Sequence, residues 1–218
     1  TDTLGGKDIY SGSKAAAEIL YKSYFHSFFK DKSNIRIATV RAGNVIGGGD
    51  WADFRIVPDC IKAWVKHESV EIRSPKATRP WQHVLEPLSG YLNVASALAN
   101  GEVENGSSYN FGPRSEYSTT VKELLDDLSI HWQLDQKPSF LSSNISEFHE
   151  AGLLKLNCDK ALFDLKWSPT LDYKKLIEFT SKWYYLYYHE SIDMLNFTMA
   201  QIKEYESIAL EISIPWTV

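Results

Sequence analysis

Tyr10 and Lys14 stand four residues apart in the stretch Asp8-Ile9-Tyr10-Ser11-Gly12-Ser13-Lys14-Ala15-Ala16-Ala17-Glu18. The alanine run is a strong helix former, and on a helix this spacing stacks the two side chains on one face. An ammonium beside a phenol favours the phenolate, which makes the tyrosine a candidate general base. Ser11, Gly12 and Ser13 are small enough to let a ligand approach, and Ala15 to Ala17 allow close packing behind. The spacing alone is a weak motif in a chain with 12 tyrosines. Its alternative is an ordinary surface pair at a helix start.

Two other stretches carry chemistry. Arg41-Ala-Gly-Asn-Val-Ile-Gly-Gly-Gly-Asp-Trp51 follows a β-branched run directly. Ligands of open parallel sheets sit beyond the carboxyl ends of strands, where this loop falls. Its glycines expose backbone N–H groups, Asn44 offers donor and acceptor, and Arg41 and Trp51 add charge and a ring. We favour a binding loop over a plain glycine turn. In Arg79-Pro-Trp-Gln-His-Val84 an arginine beside an aromatic can hold a phosphate oxygen and support a flat base. A solvated arginine beside a core tryptophan reads equally well. No Gly-x-Gly-x-x-Gly occurs anywhere, so the chain lacks a dinucleotide fingerprint.

Around these stretches the periodicity predicts alternating helices and strands. A first helix spans about residues 8–29, with Ala17, Leu20, Tyr21, Tyr24 and Phe28 as its apolar stripe, widened by Phe25 and Phe29. Ala15, Ile19 and Phe29 lie well off the central line of that stripe. A strand is expected over Ile35–Val40, a helix over Asp59–Lys66 opened by Pro58, and a short strand over Val70–Arg73. The helix begun by Glu86 and Pro87 should bury Leu88, Tyr91, Leu92, Ala95 and Leu98 and stop at Asn100-Gly101. A strand is expected over Ser108–Phe111 and a capped helix from Thr119-Thr120. Residues 133–150 read as loop, Leu153–Leu156 as strand, and Asp159–Leu165, Tyr173–Tyr188 and Met194–Ser207 as helices. No Ser/His/Asp order or metal-spaced histidine cluster stands out, and the 6 histidines read as surface or satisfied core residues.

The 218 residues are 44% hydrophobic and 23% charged, with net charge −5. That composition suits a globular chain with a real core, one domain or two intimately joined. Mild acidity argues against nucleic acid or an anionic membrane as partner. Cys60 and Cys158 are too few for a disulfide framework or a zinc site and point to a reducing compartment. No apolar run reaches membrane-spanning length. The first residues read as loop, so the chain is expected to be the later part of something longer.

Taken in order, the motifs resemble the extended short-chain dehydrogenase/reductase superfamily. Within it they resemble the nucleotide-sugar dehydratases, most closely the CDP-glucose 4,6-dehydratases. The resemblance rests on Tyr10 to Glu18, Arg41 to Trp51, Pro58 to Trp64, Arg79 to Tyr91 and Asn110 to Pro113, then on His149-Glu-Ala151, Lys155 to Ala161 and Phe197 to Tyr205. Gly-Gly-Gly-Asp-Trp and Arg-Pro-Trp-Gln-His-Val-Leu-Glu-Pro are its specific segments. It spans the whole chain.

The resemblance implies an α/β fold: the end of a Rossmann-type NAD domain (residues 1–45 and 84–112) interleaved with a small sugar-nucleotide domain (46–83 and 113–218). It implies NAD as cofactor and a nucleotide sugar as substrate. The reaction would be loss of water from CDP-glucose with hydride passing from C4 to C6, in deoxysugar synthesis for surface polysaccharide. Tyr10 and Lys14 would be catalytic and touch the cofactor, Gly43 would lie near the nicotinamide, and Asn44 and Arg79 would hold the substrate phosphates. No metal is implied. A cytoplasmic enzyme that dimerises at full length is expected, with Ala15, Ile19 and Phe29 facing the second subunit. The glycine-rich turn and upstream acid/base residues of the family do not precede Thr1. The isolated chain is therefore expected to be inactive alone. Another dehydratase or an epimerase of the superfamily, or a non-catalytic sugar-nucleotide-binding fragment, are the competing readings.

Overall fold

The structure, a computed structural model, describes residues 4–32, 34–72, 74–116, 118–132, 140–142 and 154–217. The elements follow as α1 (Ile9–Tyr24), β1 (Thr39–Ala42), β2 (Asn44–Ile46), α2 (Ile56–Val65), β3 (Val70–Ile72), β4 (Thr78–Arg79), β5 (Trp81–His83) and α3 (Leu85–Asn100). Then come β6 (Ser108–Phe111), β7 (Thr119–Thr120), α4 (Val121–Ile130), β8 (Phe140–Ser142), α5 (Asp159–Leu165), α6 (Tyr173–His189) and α7 (Met194–Glu211). A π-helical turn, Phe25–Phe29, continues α1.

Strand pairing is mostly parallel. β1 runs beside β6, with Thr39 opposite Ser108 and Ala42 opposite Phe111. β2 pairs with β5, and β3 with β8, in the same sense, while β4 and β7 are antiparallel. The α/β class with parallel pairing expected from the sequence is what the chain adopts. Parallel neighbours need long crossovers, and the helices supply them.

Helix ends follow their caps. Thr120 accepts the Glu123 amide while Glu123 reaches back to the Thr120 amide, a reciprocal capping box. Asp172 accepts from the Lys175 amide at the start of α6, and Gly101 closes α3 at φ 72°.

Burial concentrates in two clusters. In one, Val94, Ala97 and Leu98 of α3 meet Tyr109 and Phe111 of β6, Ala161 and Leu165 of α5, and Trp167. The Phe111 and Trp167 rings meet edge to face at 4.8 Å. The other joins α2, α4 and α6 through Val57, Ile61, Trp64, Leu124, Leu125, Leu128, Ile177 and Tyr184. Each of those fully buried leucines contributes roughly 1.5–3 kcal/mol by leaving water.

Several sequence expectations need correction. On α1, Leu20, Tyr24 and Phe28 are 58%, 51% and 59% exposed, whereas Ala15 and Phe25 are buried. The helix therefore docks through the edge of the expected stripe, at Tyr21 and Phe25, and the face beyond it, and leaves the centre of the stripe outside. Its contacts are a small residue at Ala15, a polar fork at Glu18, and Phe25 laid on Gly106, where an added Cβ would come within 2.5 Å of the ring. Of the three residues expected to face a partner, Ile19 is outward, Ala15 is buried and Phe29 is half-buried.

On α3, Leu88, Leu92 and Ala95 are exposed, and the inward face is Glu86, Gly90, Val94, Ala97 and Leu98. Gly90 decides that rotation: a Cβ there would lie 2.4 Å from the Phe111 ring. Residues 35–38 are not strand. The Asn105 side chain stands in for a neighbouring strand, accepting from the Ile37 amide and donating to the Ile35 carbonyl, both at 2.8 Å. The ladder starts only at Thr39.

β8 lies inside the segment expected to be loop, whose other residues, like His149-Glu-Ala151, lie outside the described ones. Leu154–Leu156 form no strand, and α7 extends beyond Ser207 to Glu211.

Candidate functional site

Asp8 caps α1 by accepting from the Ser11 amide at 2.8 Å and from the Ser11 hydroxyl at 2.7 Å. These bonds hold its carboxyl below the usual carboxylate range. Tyr10 follows in the first turn, 72% exposed, and Lys14 one turn later places Nζ 5.4 Å from the Tyr10 ring centroid. Lys14 is exposed as well, so the pair faces solvent from one side of the helix. The pair is thus assembled and accessible, with the ammonium over the ring face.

What fixes α1 in place is Arg41. Its guanidinium forks onto both Glu18 oxygens and donates to Asn110 Oδ1 at 3.0 Å, so helix, β1 and β6 are tied at one point. The fork pulls the Glu18 carboxyl below its ordinary value. Arg41 therefore positions the pair; it is not the ligand-binding arginine that its loop suggested. Trp51 is likewise packing, its ring against Trp183, Tyr184, Tyr187 and Tyr188. Gly48 exists for the same cluster, since a Cβ there would fall 2.0 Å from Trp183 Cγ.

Beyond the ends of β1 and β6 the chain converges on Pro80. The Gly43 amide donates to the Phe111 carbonyl and the Asn44 amide to the Pro80 carbonyl, each at 3.0 Å. A Cβ at Gly43 would lie 2.5 Å from the Pro80 oxygen, so the strand-to-strand step requires glycine. Asn44 is half-buried opposite Trp81.

Next to it opens a cleft of about 400 Å³, lined by Arg79, His83, Glu86, Pro113, Leu171, Tyr173 and their neighbours. A second cleft of about 280 Å³ shares Arg79 and Pro113 and adds Arg114 and Lys155. The structure brings Gly43, Asn44 and Arg79 around Pro80. Among the described residues α1 lines neither cleft. Trp81 is 6% exposed and forms wall and core, so it offers no free face for a base.

Two buried titratable groups, His83 and Glu86, stand in the first cleft wall. His83 is 4% exposed; its Nδ1 accepts from the Leu85 amide at 3.4 Å, while Nε2 has no partner among the described residues. It is therefore an incompletely satisfied core histidine, and burial pushes it down to about 4. Glu86, 2% exposed, accepts from the amides of Thr170 and Leu171 and from the Tyr205 hydroxyl. Burial nevertheless pushes its carboxyl up to about 7.

Sequence reasoning did not single out Glu86, His83, Arg114 or Lys155. All but Arg114 lie in the segments that carried the resemblance, where a lone acid or base gives no spacing signal. Among the described residues no group of three or more His, Cys, Asp or Glu could hold a metal.

No family model matches the chain. Over 210 residues it is 39% identical to CDP-glucose 4,6-dehydratase of Salmonella typhimurium, covering 94% of this chain and 58% of that relative. The resemblance read from the motifs is thus borne out. Solved structures share the fold. One is dTDP-glucose 4,6-dehydratase of Bacillus anthracis in complex with NAD (TM-score 0.65, 17% identity, 84% of this chain and 53% of that one). Another is UDP-glucuronic acid 4-epimerase of Bacillus cereus in complex with UDP-glucuronic acid and NAD (TM-score 0.64, 18% identity, 84% and 57%). The chain spans little more than half the length of each.

Proposed function

We propose that these residues form the part of a CDP-glucose 4,6-dehydratase that carries the proton-transfer pair and grips the sugar nucleotide. The observation that carries this reading is the exposed Tyr10 with Lys14 over its ring. They sit on a helix that the Glu18–Arg41 fork ties to the parallel strands. The relative in Salmonella typhimurium supports the substrate.

NAD fits in part. The exposed face of α1 that carries Tyr10 and Lys14 suits a nicotinamide riboside, with the Gly43 backbone as its neighbour; the side-chain space at Gly43 is filled by Pro80. The chain itself holds no glycine-rich cradle for the pyrophosphate. When bound, NAD supplies the two-electron acceptor that is restored by the end of the cycle.

Tyr10 Oη takes the proton of the sugar 4-hydroxyl as that carbon is oxidised. Lys14 balances the phenolate charge and holds the cofactor ribose. The 4-keto group acidifies the C5 proton, and water leaves across C5 and C6. With the two electrons removed from C4 returned as hydride to C6 and a proton added at C5, the product is CDP-4-keto-6-deoxyglucose, a precursor for deoxysugars of surface polysaccharide. Arg79, which lines both clefts, and Asn44 beside Pro80 hold the substrate diphosphate.

The division into residues 1–45 and 84–112 for cofactor, and 46–83 and 113–218 for substrate, draws support from the two core clusters. The exception is α5 with Trp167, which falls among the substrate residues but packs onto the α3–β6 cluster. A homodimer through the exposed side of α1 completes the proposal.

A 4-epimerase is the second reading, favoured by the fold shared with the Bacillus cereus epimerase. Product mass separates the two. The full-length protein given CDP-glucose should yield a product lighter by one water, and dTDP- or UDP-glucose should react more slowly. An isomer of unchanged mass would establish the epimerase instead.

A further inference from the structure

Glu86 lies in the first turn of α3, yet its bonds leave that helix entirely. Oε1 accepts from the Leu171 amide at 2.7 Å and the Thr170 amide at 3.1 Å; Oε2 accepts from Thr170 at 3.0 Å and from Tyr205 of α7 at 3.0 Å. The partners are 84, 85 and 119 residues away in sequence. Tyr205 in turn reaches Ser89 Oγ, which also accepts from Trp167 Nε1. The gripped amides belong to the segment leading into α6. That segment, from Pro169 to Tyr173, forms the cleft wall that shares the cavity with Arg79. Its far end is fixed separately, by the Asp172 cap and by the Tyr173 hydroxyl on Asp127 at 2.8 Å.

We propose that Glu86 is a positioning residue: its carboxylate clamps the Thr170 and Leu171 amides and so sets the distance between that wall and Arg79, which decides how tightly a nucleoside diphosphate is held. The proposal rests on reading the Arg79 cleft as the nucleotide-sugar site. The reach of the side chain is what counts, because the acceptor must span to both amides. Charge alone works against an anionic ligand.

CDP titrated calorimetrically into the 218-residue chain tests this with three variants. Glu86→Asp keeps the charge and retracts the oxygens. It should weaken CDP binding about tenfold, because the shorter side chain no longer reaches the two amides of the wall, and speed amide exchange at Thr170 and Leu171. Glu86→Gln keeps an acceptor at full reach and should bind within about twofold of the parent. Tyr205→Phe removes the α7 arm only; it should lower stability and leave CDP affinity unchanged. Unaltered affinity in the aspartate variant overturns the clamp, as does equal weakening in all three, which would mark general destabilisation. Absence of CDP binding by the parent, or indifference to Arg79→Ala, would remove the site reading itself and the clamp with it. A parent that binds and an Arg79→Ala that does not leave the judgement to Glu86.

Discussion

His83 and Glu86 sit three residues apart in one cleft wall, and burial moves their proton affinities in opposite directions. His83 falls from its ordinary 6.5 to about 4, and Glu86 rises from 4.5 to about 7. As pH drops from 6.5 towards 4, the unfolded chain gains a proton at His83 that the fold refuses, so stability falls. As pH rises from 4.5 towards 7, the unfolded chain loses a proton at Glu86 that the fold retains, so stability falls again. Each gap is on the order of 3 kcal/mol, and over pH 4.5–6.5 the two slopes oppose each other. Urea midpoints of the parent should therefore vary little from these groups in that range. Those of Glu86→Gln should climb steadily with pH; a flat profile in the variant would contradict the assignment. At Tyr10 the test is kinetic. Tyr10→Phe in the full-length enzyme should lower kcat by about 10²–10⁴-fold with little change in substrate affinity, because only proton transfer is lost. Turnover at the parental rate would exclude the phenol from the reaction.

Element by element, the sequence was most readable where a cap or a punctuating residue speaks locally. Thr120 with Glu123, Asp172, and Gly101 mark helix ends that the structure places where expected. The orientation of α1 and α3 was only partly legible, because on each the fold turns in one edge of the expected stripe (Tyr21 and Phe25, Tyr91 and Leu98) and leaves the rest outside. The docking face instead depends on glycines in other elements or on one ring. Gly106 receives Phe25, and Gly90 receives Phe111. No periodicity records such pairings. Tyr10, Lys14, Gly43 and Asn44 were visible as motifs, whereas the partner of Arg41 was hidden until a residue 23 positions away supplied it. Gly90→Ala should force α3 away from β6 and cost about 1–3 kcal/mol, read as a lowered thermal midpoint. Glu18→Ala should free α1 first: its amides should exchange faster while those of α6 keep their protection.

For the whole molecule, the exposed Ile9, Ile19, Leu20, Tyr24 and Phe28 make one side of α1 apolar. An acidic protein rarely leaves such a strip bare, and a second subunit is the cover we propose. Ile19→Glu in the full-length protein should shift sedimentation from dimer towards monomer; an undisturbed dimer would clear this face of the role. The chain of 218 residues should not retain NAD in a calorimetric titration, since nothing in its sequence cradles the pyrophosphate. Among the described residues no helix is long and apolar enough to cross a membrane.

Asn105 is followed by Gly106, the pairing most prone to lose its side-chain amide when the glycine nitrogen attacks it. In the fold that nitrogen is engaged, donating to the Ile37 carbonyl at 2.9 Å, while both ends of the Asn105 amide are held by Ile35 and Ile37. Ageing by deamidation must therefore wait for this corner to open. Once it happens it cannot be undone, because the nitrogen has left as ammonia, and the new carboxylate has no proton to give the Ile35 carbonyl. Stored protein should accumulate the acid form at the rate of that opening, and each modified molecule should close the corner less well than before.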